Sequence, residues 1–241
     1  MVSSSANAAD EELPLEDHEC IGRARVPGGV ELRLVRSGDE FTIVLDGNEL
    51  MSSRVSASEA ALATMASTRL GSRTAQEWLI GGYGMGFTLR AALAVLGPDA
   101  CLTVAELVPE VIEWARGPMR KLTADCLDDK RVVLVGQDVA TLIDAANAGY
   151  DAILLDVDNG PEGLTRQSND HLYSSHGLDL LWEALKVDGI LGVWSAEADD
   201  GFTARLHGAG FEVDEVCVSD GHDYDADTHT LWFARKRDLV S

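Results

Sequence analysis

From Glu77 onward the chain alternates between short apolar runs and stretches with helical spacing, and this alternation limits the fold more than any other feature. The apolar runs are Glu77–Gly81, Cys101–Glu106, Arg131–Val135, Ala152–Asp156, Ile190–Ser195, Phe211–Val218 and Thr230–Ala234. Helical patterns fall between them at Phe87–Leu96, Val108–Lys121, Val139–Ala148, Gly177–Leu185 and Gly201–Gly208. Runs this short and this continuously apolar suit strands covered on both faces, and a helix after each strand returns the chain for a parallel neighbour. Only Ser219–Asp227 separates the last two runs, too little for a crossover helix. They are expected to pair as a hairpin, giving a seven-stranded, mostly parallel sheet whose last strand is antiparallel and lies at the edge.

The first 55 residues read differently. Residues 1–19 are polar and acidic, without the basic start and apolar block of a secretory signal, and are expected to be a disordered tail. Val30–Val35 and Phe41–Leu45 alternate in polarity around Ser37-Gly38-Asp39, which reads as a β-hairpin, with another turn at Asp46-Gly47-Asn48. An Ala-rich helix is expected over Ser56–Arg69, capped by Ser56 or Ser58. The expected organisation is thus a tail (1–19), a small β element (20–55) and an α/β domain (56–241).

Composition narrows the partners. A net charge of −22 opposes binding to nucleic acid and favours small cations, polyamines among them. No apolar run approaches the length of a membrane-spanning helix. Cys20, Cys101, Cys126 and Cys217 lack C-x-x-C spacing and read as reduced thiols, which fits a cytoplasmic setting.

Candidate site residues collect at the ends of the first four runs of the α/β part. The first run ends in Gly81-Gly82-Tyr83-Gly84-Met85-Gly86, and Gly82, Gly84 and Gly86 let backbone pass close to a ligand. The second ends in Glu106-Leu107, and a carboxylate there can accept from both ribose hydroxyls. Asp138 follows the third run and can accept from an adenine amino group; the fourth ends in Asp156, with Asp158 and Asn159 just beyond. Phe87-Thr88-Leu89 stands where a dinucleotide fingerprint needs its third glycine. That absence and the terminal hairpin favour an S-adenosyl nucleoside over NAD. No metal site is expected: the acidic stretch Ser219–Asp227 lacks the bidentate Glu of an EF-hand. No G-x-S-x-G elbow surrounds Ser195, which argues against a serine hydrolase.

From about Phe41 to Gly192 the sequence resembles the spermidine/spermine synthase family, within the Rossmann-like class I methyltransferase superfamily. The resemblance is carried by Leu45-Asp46-Gly47 with Arg54, Gly84-Met85-Gly86-Phe87-Thr88-Leu89-Arg90, Ala105-Glu106-Leu107-Val108-Pro109-Glu110-Val111, Tyr150–Asp156 with Pro161, Leu172-Tyr173-Ser174, and Leu185–Leu191. It implies aminopropyl transfer from decarboxylated S-adenosylmethionine to a small cationic amine, with no metal, in a homodimer. By matched position Glu106 would bind ribose, Asp138 adenine, and Asp156 would face the reacting amine. The sequence departs from the family where the donor tail and acceptor would lie. Met85 replaces the glycine-loop aspartate, Leu50 a glutamine and Glu59 a tyrosine; Asp158-Asn159-Gly160-Pro161 replaces a Ser-Asp-Pro segment.

Three readings follow. The first is amine alkylation, with Asp156 and Asp158 as proton acceptors and Asn159, Tyr173 and Glu59 against the substrate. The second is methyl transfer from S-adenosylmethionine to a small molecule, favoured by Met85. The third is a non-catalytic nucleoside-binding relative. Ser168–His176 is expected to form a loop or lid over the acceptor.

Overall fold

In the computed structural model the described residues are 18–26, 29–157, 171–219 and 228–237. They form two sheets. Strands β1 (Glu19–Arg25), β2 (Glu31–Ser37), β3 (Glu40–Leu45) and β4 (Asn48–Ser52) make a four-stranded antiparallel sheet in sequential order. The expected hairpin is its centre. Leu32, Leu34, Ile43 and Leu45 turn to one face and are buried, as period-two alternation requires. Two strands were not foreseen. β1 begins at Glu19, so the tail ends no later than His18; residues 1–17 lie outside the described residues. Its outward side chains are charged and it buries only Ala24, so its apolar signal is weak, while Arg36 with Glu19 and Arg23 with Glu31 bridge it to β2.

Helix α1 (Ala57–Leu70) leads into the α/β part: β5 (Glu77–Gly81), α2 (Phe87–Val95), β6 (Cys101–Ala105), α3 (Pro109–Arg116), α4 (Arg120–Thr123), β7 (Val132–Val135), α5 (Val139–Asp144), β8 (Tyr150–Leu155), α6 (Ser175–Ala184), β9 (Leu185–Ser195), α7 (Asp200–Gly208), β10 (Glu212–Ser219) and β11 (Thr228–Arg235). The helix expected over Val108–Lys121 is broken at Gly117-Pro118, because proline supplies no N–H and its ring opposes helical backbone in the preceding residue. The strand expected from Ile190 starts earlier, at Leu185; Lys186 to Gly189 hide it in sequence, with a turn conformation at Asp188 (φ 59°).

The sheet order is β10-β11-β9-β8-β5-β6-β7. β5 pairs in parallel with β6 and β8, β6 with β7, and β8 with β9. The last strand is antiparallel, as expected, but it is not at the edge. β11 inserts between β9 and β10 and pairs antiparallel with both, leaving β10 outermost. The reason lies in burial: Leu231 to Ala234 are buried, whereas β10 alternates exposed and half-buried residues and suits an edge.

One layer of core lies between this sheet, helices α1 to α3 and the four-stranded sheet, joining Leu34, Leu62, Trp78 and Leu102. The other lies under α5, α6 and α7, joining Leu79, Ile153, Leu181 and Phe202. Covered on both faces, β8 can bury every residue from Asp151 to Leu155. Among the described residues no helix is long and apolar enough to cross a membrane.

Candidate functional site

Chain order reverses between β5 and β8: the chain moves outward on one side through β6 and β7, and on the other through β8 and β9. The carboxyl ends of strands beside such a reversal form a crevice in which open α/β sheets hold ligands. The loop after β5 lies between the ends of β6 and β8. Gly82 N–H donates to the Ala105 carbonyl at 2.9 Å, and Asp156 N–H donates to the Gly81 carbonyl at 3.1 Å. The glycine loop is thereby stitched to both neighbours.

Two glycines are required here by geometry. Gly82 has φ 82°, and a Cβ on it would stand 2.6 Å from the Asp156 carbonyl oxygen. Gly84 has φ 54°, and a Cβ there would meet the Met51 methyl at 2.7 Å. Met51, from β4, lies against the loop, and its Sδ accepts the Met85 N–H at 3.2 Å. Gly86 precedes the first turn of α2, whose N-terminus favours negative charge nearby. Met85 is fully buried.

Glu106 is buried at the end of β6. Its Oε2 accepts the Tyr83 N–H at 3.0 Å and its Oε1 the Val108 N–H at 2.8 Å. Burial pushes the carboxyl up, and the amides of Val108, Tyr83, Leu107 and Gly84 oppose that shift without cancelling it. Glu106 thus ties the glycine loop to the loop after β6, while Leu107 beside it is exposed. Beneath the loop, the Tyr83 Oη lies 3.4 Å from Cys126 Sγ, and burial with that thiol pushes the phenol up.

On the other side of the loop stands Asp156. Loss of solvent pushes its carboxyl up to about 6, against a lowering hydrogen bond from Thr88. The Thr88 hydroxyl, in the first turn of α2, reaches Asp156 Oδ2 at 2.9 Å and the Glu59 carbonyl oxygen at 3.3 Å. That bridge sets the start of α1 beside Asp156. Glu59 is buried, and its Oε2 accepts from the Ser58 hydroxyl at 3.0 Å. Ser58 in turn accepts from Trp194 Nε1 at 3.0 Å. Neither serine caps α1 with its side chain: Ser56 holds the N-cap position without such a bond, and Ser58 is inside the helix.

The structure therefore brings Gly82, Gly84, Met85, Gly86, Glu106 and Asp156 to one rim of the sheet and adds Glu59. Asp138 lies past the end of β7, where its Oδ1 caps α5 by accepting from the Ala140 N–H at 2.9 Å. Tyr173 shares a core cluster with Ala105 and Leu155, at the carboxyl ends of β6 and β8. It is buried under the opposite layer, edge-on to Phe202 with ring centres 5.5 Å apart. Asp158, Asn159, Ser168 to Asp170, and Asp220 to Asp227 lie outside the described residues; His171 and His176 are exposed, at a turn and in α6. Among the described residues no three His, Cys, Asp or Glu side chains group to hold a metal ion. Sequence reasoning missed Thr88, Ser58, Trp194 and Met51 as site residues. Thr88 sits within the quoted Phe-Thr-Leu-Arg segment; the other three carry no local signal, since their partners come from distant strands.

Comparison with known proteins fits this geometry. A family model for the spermine/spermidine synthase domain matches residues 76–198. The chain is 36% identical over 113 residues to polyamine aminopropyltransferase 1 of Streptomyces coelicolor, covering 46% of this chain and 20% of that protein. It is 29% identical over 164 residues to the polyamine aminopropyltransferase of Mycobacterium tuberculosis, covering 67% of this chain and 30% of that protein. The matches thus span less than a third of either relative. Among solved structures, spermidine synthase from Thermotoga maritima superposes with a TM-score of 0.72 at 19% identity, over 90% of this chain and 72% of that one.

Proposed function

This chain belongs to the spermine/spermidine synthase family, and from that premise we propose that it is a transferase that alkylates a small amine with an S-adenosyl-type donor. The observation that carries the reading is the pairing of Glu106 and Asp156 on opposite sides of one glycine loop. A nucleoside with its ribose against Glu106 directs its 5′ substituent across Gly84 toward Asp156. Two observations support such a ligand: the glycines at 82, 84 and 86 take positive φ and let the loop fold tightly between the ends of β6 and β8, and the Tyr83 and Val108 amides fix the orientation of the Glu106 carboxylate. The resemblance assigns adenine to Asp138, which keeps acceptor capacity beyond the bond it uses in capping α5.

In the reaction the amine nitrogen attacks the carbon bonded to the sulfonium. The C–N bond forms, the C–S bond breaks, and sulfur keeps the electron pair and leaves as a neutral thioether nucleoside. The protein has to align the amine, strip its water and take its proton. Asp156 suits the last task, because a carboxylate poised near 6 is ionised at neutral pH yet holds a proton better than an ordinary aspartate. The resemblance implies an aminopropyl donor, decarboxylated S-adenosylmethionine, and an acidic surface suits a cationic acceptor.

A second reading, methyl transfer from S-adenosylmethionine, is favoured by one observation. Met85 is fully buried and Met51 lies against its amide, so thioethers stand where the resemblance places an acid for the donor's ammonium. Calorimetric titration with S-adenosylmethionine, its decarboxylated form and methylthioadenosine separates the two. Preference for the decarboxylated donor, with product formed from an amine panel, supports alkylation by aminopropyl. Preference for the intact donor supports methyl transfer. Failure of all three to bind, or a Glu106→Ala variant that binds as tightly as the parent, rejects the nucleoside site.

A further inference from the structure

A buried hydroxyl has to place its proton, and Thr88 places it differently from Thr64 and Thr68 of α1. The Thr64 hydroxyl donates to the Ala60 carbonyl at 3.1 Å and the Thr68 hydroxyl to the Thr64 carbonyl at 2.9 Å, each one turn back in its own helix. Threonine in a helix commonly spends its hydroxyl this way. Thr88 is buried in the first turn of α2, and its hydroxyl leaves its own helix. It reaches Asp156 Oδ2 at 2.9 Å and the Glu59 carbonyl oxygen at 3.3 Å. One proton cannot serve both acceptors fully. The contact with the acid is the shorter, and an ionised acceptor makes the stronger bond, so the proton belongs to Asp156 while that group is a carboxylate. Among the described residues Thr88 is the one side chain that donates to Asp156, and its bond opposes the upward push of lost solvent. Of the titratable groups on the elements around it, Arg90 of α2 donates to the Leu122 carbonyl at 2.6 Å, and the Tyr83 phenol lies on Cys126. Glu106 accepts amides on the far side of the glycine loop, and Glu59, whose carboxyl group accepts from Ser58, meets the bridge with its carbonyl.

We infer that Thr88 is a positioning residue for the proposed transfer: its hydroxyl holds Asp156 Oδ2 and so leaves Oδ1 as the oxygen that takes the proton of the attacking amine. The inference rests on the amine-transferase reading above and adds to it the group that aims the base. With Oδ2 tied to the first turn of α2, the plane of the carboxylate is set by the same turn that follows the glycine loop, so base and donor are registered to one element. In the step itself the nitrogen's proton passes to Oδ1, while the Thr88 proton stays on Thr88. Once Asp156 is neutral, Oδ2 and the Glu59 carbonyl are alike in kind, and the hydroxyl is held by either.

The test compares the full chain with Thr88→Val, Thr88→Ser and Thr88→Val combined with Asp156→Asn, using decarboxylated S-adenosylmethionine as donor and an amine panel that includes 1,4-diaminobutane. Thr88→Val keeps the shape and loses the hydroxyl. At neutral pH and saturating donor and amine it is expected to slow single-turnover transfer about tenfold or more, the scale of a lost hydrogen bond to a charged group. The acid limb of its pH profile is expected to move up by about one pH unit, because the bond that favours the ionised acid is gone. Methylthioadenosine affinity is expected to stay within about twofold of the parent, which also shows that the variant is folded. Thr88→Ser is expected to recover most of the rate and the parent's acid limb. In the Asp156→Asn background Thr88→Val is expected to add less than about a twofold loss, since the hydroxyl acts through that carboxylate. Parent-like rate and acid limb in Thr88→Val overturn the inference and leave the amine reading standing. A serine variant no better than the valine variant, or equal losses of rate and methylthioadenosine affinity, overturns it as well, because either marks Thr88 as scaffold. A parent that binds methylthioadenosine but forms no product from any amine of the panel overturns the amine reading and the inference together.

Discussion

Asp151 and Asp156 occupy the two ends of the β8 region, five residues apart, and their environments push them in opposite directions. Burial alone would raise Asp151, but the Glu77 amide, Lys186 and Arg73 outweigh it and hold the carboxyl below its usual value. Lys186 Nζ lies at 2.7 Å, Arg73 at 3.0 Å and the Glu77 N–H at 2.9 Å. Among the described residues Asp156 has a hydroxyl from Thr88 in place of two cations, and it rises to about 6. The same side chain type is thus a clamp at the amino end of β8 and, just past its carboxyl end, a carboxyl group with a raised pKa, the property the proposed proton transfer would use. Cations near a buried carboxylate stabilise the fold and dull its chemistry; their absence does the reverse.

The sharpest way to break this contrast is to neutralise each aspartate in turn. Asp156→Asn is expected to slow transfer by about 10²- to 10⁴-fold, the usual worth of a general base, with methylthioadenosine affinity nearly unchanged. Single-turnover rates at saturating donor check it, and full activity would reduce Asp156 to a strand-end cap.

Asp151→Asn is expected to leave transfer intact and to cost about 2–3 kcal/mol of stability. That is below the usual cost of breaking a buried ion pair, because Arg73 and Lys186 keep partial contact with water. Urea unfolding measures it. The folded-state pKa of Asp151 is depressed, so its contribution is complete above the ordinary carboxyl value of 3.8 and is lost as pH falls through the lower folded value.

Asp156 carries the opposite sign. Its folded-state pKa is raised, so stability declines as pH climbs from 3.8 toward about 6 and stays lower above that. Asp156→Asn is therefore expected to stabilise the protein by about 1–3 kcal/mol at pH 8 and by little at pH 4. A melt series across that range decides it. The smallest effect is expected in the pH profile of transfer. Its acid limb should break near 6 and fall about tenfold per pH unit below, as Asp156 takes up its proton. A break near 4 would erase the difference between the two aspartates.

Much of this was legible in the sequence because the signals were local. The apolar runs marked the strands of the α/β sheet, and glycines and acids at run ends marked Gly82, Gly84, Glu106 and Asp156. Three things escaped, each for a physical reason. β1 buries little, so it shows no alternation. The edge position of β10 depends on burial within the sheet, which spacing between the last two runs does not encode. The Trp194–Ser58 bond joins residues 136 positions apart. Such a partnership exists only once α1 and β9 pack, so Ser58 read as a helix cap. Asp138 shows the converse: its place after β7 was legible, but not its engagement with the start of α5.

The contact of Met51 with the glycine loop bears on how the molecule is cut or grafted. A fragment started at residue 56 would keep every strand of the large sheet, yet the Met85 amide would lose its sulfur partner and Leu62 and Trp78 part of the core they share with Leu34. Anyone building a minimal version, or a chimera with another front end, has to carry β4 along with the loop that it steadies.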